Sequence, residues 1–159
     1  MLTVSADATG KVWTAVSGKC VCKFEDHGDA VVFGAFSADA QRVLTKAFIS
    51  TAKVWSASSG RCLRTFKVGC PFACAFSPDA QQVLIAFSFT AKLWSVASGA
   101  CLFTFAGHHQ SLNGAYFSPD GQQVLTVSGD TTSKLWSAAS GECLLTLEGH
   151  GNRVIGADF

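Results

Sequence analysis

Charged residues are scarce in this chain: lysine, arginine, aspartate and glutamate together make up 14% of its 159 residues. The net charge is only +1, so a broad basic surface for nucleic acid or anionic membrane is not expected. No apolar run approaches the roughly 18 residues of a membrane span, and the N-terminal residues lack the charge pattern of a secretory signal. These absences argue against nucleic-acid and membrane partners and favour a cytoplasmic or nuclear location.

Cysteine occurs in an odd number and in no metal-binding pattern. The seven cysteines include the close pairs Cys20/Cys22 and Cys70/Cys74, whose spacings differ from the CxxC pairs of zinc sites. An odd count fits thiols in a reducing compartment better than a set of disulfides. We therefore expect reduced cysteines, no metal and no other cofactor.

The chain contains four tryptophans, and each stands in the same local phrase. The intervals between them are 42, 39 and 42 residues, for Trp13, Trp55, Trp94 and Trp136. The phrases are KVWTAVSGKC, KVWSASSGRC, KLWSVASGAC and KLWSAASGEC. A period of about 41 residues is typical of a repeat protein, in which each copy is one small unit rather than a domain with a single active site.

Four short strand signals occur in each copy. The first ends in Phe, as in AVVFGAF and SLNGAYF; the second contains VL; the third is KVW or KLW; the fourth begins at the repeated cysteine. Alternating β-branched and aromatic residues, broken by turns every 8–12 residues or so, predict antiparallel strands and no helix of useful length. Four strands in each repeat of this length are the make-up of a β-propeller blade.

Two further repeated features lead to structural expectations. Gly121 ends the turn SPDG and can take a positive φ without a Cβ clash, whereas Ala40 and Ala80 replace it in SADA and SPDA. If the conformation is kept, each alanine costs about 1 kcal/mol. A lysine also recurs two residues before each Trp, and we expect these lysines to form a solvated third-strand face rather than a track for phosphates; they are Lys11, Lys53, Lys92 and Lys134.

The chain resembles the WD-repeat (β-transducin-like) propeller family from about residue 2 to residue 159. The combination GH, F-SPDG, VLT, S-x-D and KLW, read over residues 107–136, carries the resemblance. The Asp that usually follows Trp in this family is Thr or Ser in all four copies. The resemblance implies an all-β fold built from propeller blades of four antiparallel strands, with the first strand innermost.

Aligned in this way, the chain forms three complete blades and one split between its ends. The ranges are 30–67 for blade 2, 71–106 for blade 3 and 111–148 for blade 4. Blade 1 has its second to fourth strands in 1–25, and 153–159 is the predicted closing first strand. Three arrangements stay open: a closed four-blade ring, a half-ring that pairs with a second chain in an eight-bladed homodimer, and a piece of a longer propeller. Blades shaped for the family's usual seven-bladed ring close poorly at four, which favours the half-ring.

The family's repeat often holds a hydrogen-bonded set of His, Ser or Thr, Asp and Trp. Blade 4 carries such a set in His108, Ser128, Asp130 and Trp136. We expect Ser128 to accept a hydrogen bond from the indole N–H of Trp136, and Asp130 to accept one from the His side chain. Ser, His and Asp together also suggest a hydrolase triad, but their place in a repeat predicts a structural network and no catalytic residue.

The other copies of this set are incomplete or divided. The two ends together would supply His150, Ser5, Asp7 and Trp13. Blade 2 has His27, Thr45 and Trp55 but carries Ile49 at the Asp position, and blade 3 has lost the GH pair altogether.

WD-repeat propellers act as rigid platforms that bind peptides or domains, often through the loops between blades and between second and third strands. Candidate segments of that face are 28–31, 47–50, 87–90, 109–111, 129–131 and 151–153. Apolar residues occupy two of these turns, where the family has small and acidic ones: Phe48, Ile49, Phe87 and Phe89. They either fold inward to replace the lost polar sets, or form an exposed patch that anchors a partner. His109 and Arg153 are the remaining candidates for partner binding.

These features predict a non-catalytic scaffold for protein–protein interaction. An alternative is a non-functional fragment of a longer multidomain WD-repeat signalling protein. A propeller-borne enzyme is a third hypothesis, but the predicted first-strand ends offer few convergent charged residues beyond Asp29, Arg153 and Asp158.

Overall fold

The computed structural model describes residues 1–49 and 51–159, and Ser50 of the candidate segment 47–50 lies outside the described residues. These residues form two compact units, Met1–Pro71 and Phe72–Phe159. Strands and turns make up all the regular structure of the described residues, and none of them belongs to a helix long and apolar enough to cross a membrane. The all-β prediction is confirmed.

The first unit holds two antiparallel sheets. Their strands are β1 Leu2–Val4, β2 Gly10–Trp13, β3 Cys20–Phe24, β4 Val31–Phe36, β5 Arg42–Ala47, β6 Thr51–Ser56 and β7 Cys62–Lys67. Blade 1 has the order β1-β2-β3, and blade 2 has the order β4-β5-β6-β7. Blade 1 therefore contains three strands of its own, as the division between the ends predicts.

The second unit holds two four-stranded antiparallel sheets, one of which begins at Pro71. Their strands are β8 Pro71–Phe76, β9 Gln82–Phe87, β10 Thr90–Ser95, β11 Cys101–Ala106, β12 Leu112–Phe117, β13 Gln123–Ser128, β14 Ser133–Ser137 and β15 Cys143–Leu147. Blade 3 has the order β8-β9-β10-β11, and blade 4 has the order β12-β13-β14-β15. Both orders follow the chain, so each blade is a meander of hairpins.

One register recurs in all four blades. The tryptophan of the third strand pairs with the first cysteine of the fourth strand, and a bulge precedes it each time. The second strands of blades 2 to 4 are buried along most of their length, because both faces of these apolar runs are covered. The repeated phrase around Trp therefore encodes a repeated local geometry.

Consecutive blades within a unit pack through one aromatic pair. Phe24 of β3 lies 5.2 Å from the ring of Trp55, and Phe105 of β11 lies 5.5 Å from the ring of Trp136. All four rings are buried. The fourth strand of one blade is therefore covered by the third strand of the next, and this contact forms the centre of each apolar cluster.

The turns after the first strands keep one conformation despite their different sequences. Ala40 has φ 55°, Ala80 has φ 58° and Gly121 has φ 72°. In all three turns the Ser hydroxyl donates to the Asp carboxylate two residues later. Both alanines thus keep the left-handed conformation of the glycine, which is the condition under which each was expected to cost about 1 kcal/mol.

Two expectations are wrong. Residues 153–159 do not form a strand: Val154 N–H donates to Ser128 O, but this segment joins no ladder among the described residues. A strand exists only where a neighbouring strand accepts and donates its backbone hydrogen bonds. The repeated lysines do not form a solvated face either, since Lys53 is only 5% exposed and the other three are half-buried. The ammonium of Lys53 lies 5.5 Å from the Trp55 ring centre and donates to Asp26 O over 2.6 Å.

Candidate functional site

A hydrogen-bonded network crosses blade 4 from the loop before it to its third strand. His108 Nδ1 lies 2.8 Å from Asp130 Oδ2, and His108 Nε2 lies 2.9 Å from Thr126 Oγ1. The indole N–H of Trp136 donates to the same Thr126 oxygen over 2.8 Å. His, Asp and Trp of the predicted set are thus brought together, and the hydroxyl that links them belongs to Thr126.

The assignment of Ser128 as acceptor for Trp136 is wrong. Trp136 pairs with Val124 across the two strands, so Thr126 is its diagonal neighbour. Ser128 lies two residues further along, roughly 7 Å away at the rise of a strand. Its hydroxyl donates instead to Gln110 O over 2.9 Å and accepts Asp130 N–H over 3.2 Å. Ser128 therefore shapes the turn that holds Asp130.

The protonation states of this network follow from its surroundings. Burial lowers the pKa of His108, and the hydrogen bond and charge of Asp130 offset only part of that effect. Desolvation alone would raise the pKa of Asp130, but hydrogen bonds from His109 N–H, the Thr132 hydroxyl and His108 hold this pKa far below its usual range. At neutral pH we therefore assign a neutral His108 that donates from Nδ1, while Nε2 accepts the Thr126 hydroxyl.

Blade 2 contains the same network without the carboxylate. His27 Nε2 lies 2.7 Å from Thr45 Oγ1, and Trp55 Nε1–H donates to that oxygen over 2.6 Å. His27 Nδ1 lies 3.2 Å from the Thr51 hydroxyl. Burial, with the nearby charge of Lys53, lowers the pKa of His27 to about 4. Loss of the Asp thus leaves a neutral histidine held by two hydroxyls.

The set that was predicted across the two ends stays a prediction, because its members belong to different units. Within the first unit, Trp13 Nε1–H donates over 2.8 Å to Thr3 Oγ1, so Thr3 takes the role assigned to Ser5. Ser5 Oγ accepts Asp7 N–H, and Asp7 Oδ1 accepts from Thr9, as in the equivalent turn of blade 4. In the second unit, the predicted member His150 is exposed.

A sequence signal for the correct hydroxyl exists. Thr3, Thr45 and Thr126 each stand ten residues before the Trp of their blade. In blade 3 the corresponding register position, opposite the lysine of the third strand, is Ile85. Counting ten residues back from Trp, rather than matching Ser and Asp, would have identified the acceptor in three blades. In blade 3 the same count gives Leu84, so only the strand register identifies Ile85.

The His–Asp–Thr geometry resembles a hydrolase triad, but its surroundings do not suit substrate. Thr126 has no exposed surface, and its oxygen already accepts the Trp136 N–H. A nucleophile needs open space in front of its oxygen for the scissile group. Among the described residues no group of three or more His, Cys, Asp or Glu side chains could hold a metal ion. The network as built joins the loop before blade 4 to the second and third strands of that blade.

The apolar residues of the two altered turns differ in exposure. Phe48 is 64% exposed, Ile49 is 54% exposed and Phe89 is 48% exposed. Phe87 is half-buried beside the ammonium of Lys92, which lies 5.6 Å from its ring centre. Phe87 thus fits the inward-folding hypothesis in part. The side chains of the other three residues are exposed, as the patch hypothesis requires.

Three of the six candidate binding residues meet in the second unit. An open depression of about 490 Å³ is lined by Phe89, His109, Gln110, Ser111, Asn113, Gly129, Asn152 and Arg153. The loops around it are fixed: Gly129 N–H donates to Ser111 O over 2.9 Å, and Asn113 Nδ2 donates to Val154 O over 2.7 Å. Sequence reasoning missed the three amide side chains, because nothing in the repeat marks them.

Residues 99–137 match the family model of the WD domain, G-beta repeat. The matched segment runs from the last turn of blade 3 to the third strand of blade 4 and includes His108, Thr126, Asp130 and Trp136. A comparison with curated proteins finds no match for the chain. The other Trp-centred copies share the strand order and register of the matched repeat.

Proposed function

We propose that the chain is a non-catalytic scaffold that binds a protein or peptide through its loop surface, because residues 99–137 match the WD-repeat family model. WD-repeat domains generally mediate protein–protein interactions. The observation that supports a site in the second unit is the depression lined by Phe89, His109 and Arg153. Its rigid rim, formed by loops between hydrogen-bonded strands, suits a surface that binds without rearranging.

The chemistry of the depression favours an acidic peptide segment. Arg153 is the one lysine, arginine, aspartate or glutamate among its described lining residues, and its guanidinium suits a carboxylate. The exposed ring of Phe89 offers an apolar anchor. The side chains of Gln110, Asn113 and Asn152 can exchange hydrogen bonds with a peptide backbone. The proposed ligand therefore combines a carboxylate with a neighbouring apolar side chain.

This proposal can be tested with peptides selected from a random displayed library on the immobilised full chain. Binding of the synthetic peptides is then measured by fluorescence anisotropy. We expect enrichment of acidic residues beside apolar ones, and Phe89→Ser and Arg153→Glu should each weaken binding by about tenfold or more. Leu102→Ser is the matched control, since Leu102 is a similarly exposed apolar residue of β11 outside the depression. Selected peptides that bind both site variants as well as the unaltered chain would refute the site.

The first unit offers a separate partner anchor in Phe48 and Ile49. Ile49 N–H donates over 2.9 Å to Asp29 Oδ2, and Phe48 N–H donates over 2.9 Å to Ala30 O, so the turn is held while both side chains stay exposed. Phe48→Ser should weaken partner binding without lowering the unfolding temperature. A fall in stability with unchanged binding would instead assign Phe48 to packing.

A reducing cytoplasmic or nuclear compartment is part of the proposal. All seven cysteines are free thiols in the structure, and five of them are exposed. Maleimide labelling of the denatured protein, purified without reductant, should modify all seven. A labelled count below seven, restored by reductant, would argue for disulfides and against this location.

Self-association is a second proposed function. The chain carries a three-stranded blade 1, and its repeat pattern predicts complementary ends. We expect two copies to combine into an eight-bladed homodimer. Light scattering of the purified chain should give twice 16.7 kDa, and a stable species at 16.7 kDa would contradict pairing.

A further inference from the structure

The contacts between consecutive blades provide an internal template for what should cover an exposed blade. In each unit a fourth-strand Phe is buried beneath the Trp of the following blade. The glycine of the following SG turn packs against the same strand: a Cβ on Gly141 would lie 2.7 Å from Phe103, and one on Gly60 would lie 3.3 Å from Cys22. A blade thus receives a Trp and an SG turn from the blade that follows it.

Blade 4 presents this receiving face without cover. Leu147 occupies the position of Phe105, yet it is 50% exposed while Phe105 is 1% exposed. Leu145 occupies the position of Phe103 and is 55% exposed. At the glycine of the GH pair the contrast is the same: a Cβ on Gly107 would lie 3.6 Å from the Trp136 ring, whereas one on Gly149 would meet no described atom within 4 Å. The space that an indole fills beside blade 3 is open beside blade 4.

Blade 1 presents the complementary face, also without cover. A Cβ on Gly18, in its SG turn, would meet no described atom within 4 Å, unlike the equivalent Gly60 and Gly141. Ala15 is exposed, whereas the equivalent Ala138 is buried in the core of the second unit. Trp13 is half-buried, whereas Trp136 is buried. Blade 1 therefore has a partly exposed Trp and an exposed SG turn of the kind that would cover the open face of blade 4.

The polar groups of the two faces match as well. His108 reaches Thr126 and Asp130 of the following blade. His150 has the equivalent place after blade 4 and is exposed. In blade 1, Thr3 accepts the Trp13 N–H and keeps a hydroxyl proton to donate, while the bonds to Thr9 occupy only Oδ1 of Asp7. A histidine from a preceding blade would complete this network.

We propose that the exposed face of blade 4 binds blade 1 of a second copy of the chain. The inference rests on the proposed self-association and specifies which surfaces meet. Trp13 of one copy covers Leu147 of the other and lies beside its Gly149, and the Gly18 turn covers Leu145. His150 of the copy that carries Leu147 binds Thr3 and Asp7 of the copy that supplies Trp13. Each copy carries both faces, so every copy can form this contact with a neighbouring copy.

The test uses the full chain in sedimentation velocity over a range of concentrations. The unaltered chain should sediment as a dimer of twice 16.7 kDa. Leu145→Asp combined with Leu147→Asp should raise the dimer dissociation constant about 100-fold or more, because the carboxylates would be buried against an indole. Leu144→Asp is the matched control: it is a similarly exposed residue of the same strand on the opposite face.

A second pair of variants addresses the other face and guards against misfolding. Ala15→Arg should dissociate the dimer, whereas Val16→Arg, at a fully exposed neighbour, should leave it intact. Circular dichroism checks that each variant keeps its strands. Dimers that persist in Ala15→Arg and in the Leu145/Leu147 variant would overturn the assigned faces while leaving pairing itself in place. An unaltered chain that is monomeric throughout would overturn both the pairing and this contact. Dissociation by the controls to the same extent would also overturn the assignment.

Discussion

Thr126 Oγ1 accepts the indole N–H of Trp136 over 2.8 Å and lies 2.9 Å from Nε2 of His108. One buried hydroxyl thus joins the third strand of blade 4 to the loop that precedes the blade. Thr45 performs the same task in blade 2, with distances of 2.6 and 2.7 Å to its Trp and His. Blades 2 and 4 therefore repeat a hydrogen-bond network centred on a Thr hydroxyl, in addition to the repeated tryptophan.

Removing the Thr126 hydroxyl should destabilise blade 4. Thr126→Val keeps the side-chain shape but leaves the Trp136 N–H and His108 Nε2 without a partner, at a cost of about 2 kcal/mol or more. Thr126→Ser retains the hydroxyl and should cost clearly less. Urea unfolding followed by tryptophan fluorescence measures both free energies of unfolding. Equal costs for the two variants would show that the hydroxyl is not what stabilises the blade.

The buried histidines make stability depend on pH. The pKa of His27 is lowered from 6.5 to about 4 by burial, and that of His108 is also lowered by burial. The unfolded chain therefore binds protons that the folded chain does not, so stability is full above pH 6.5 and falls as the pH drops towards 4. Asp130, whose pKa is lowered by the hydrogen bonds it accepts, adds a further loss below its ordinary value of 3.8.

This pH dependence can be measured as the free energy of unfolding between pH 8 and pH 4. We expect a loss on the order of 2 kcal/mol from His27 alone. His27→Asn should lower stability at neutral pH and flatten the profile over this range. A profile that His27→Asn does not flatten would contradict the neutral assignment of this histidine.

The left-handed alanines provide a prediction of increased stability. Ala40 is exposed with φ 55°, so Ala40→Gly should relieve backbone strain and stabilise by about 0.5–1 kcal/mol. Ala80 has nearly the same φ but is buried, so loss of its methyl offsets the gain in Ala80→Gly. Thermal unfolding compares the two variants. A lower unfolding temperature for Ala40→Gly would contradict the strain argument.

The two equivalent fourth-strand positions Phe105 and Leu147 should respond differently to truncation. Phe105→Ala removes a ring buried against Trp136 and should cost about 3–4 kcal/mol. Leu147→Ala removes a half-exposed side chain and should cost under about 1 kcal/mol in dilute, monomeric protein. Denaturant titration at two protein concentrations separates the fold from the dimer: only the Leu147→Ala penalty should grow at the higher concentration.

Much of the fold could be predicted from the sequence, because strand period, turn residues and the Trp phrase repeat together. The four blades, the three-stranded blade 1 and the left-handed alanine turns all follow from local patterns that are the same in each copy. Residues 153–159 carry the same pattern but form no strand, since a strand depends on a partner that its own residues do not provide.

The candidate site was less predictable, because it depends on distances across strands. Ser128 fits the composition of the set as well as Thr126 does, and only the register with Trp136 distinguishes them. The burial of Lys53 depends on the Asp26 loop, whose carbonyl oxygen accepts its ammonium over 2.6 Å. The exposure of Phe89 and the three amides beside it follows from loop geometry, which one sequence does not specify.

The claim that the depression of the second unit is the partner site is tested most directly by NMR titration. The full chain, labelled with ¹⁵N, would be titrated with an acidic peptide selected on it, and amide shifts would be followed residue by residue. We predict the largest shifts at Phe89, His109 and Arg153, with the central strands of blade 2 unchanged. Saturating binding with shifts elsewhere, and none at these three residues, would contradict the claim.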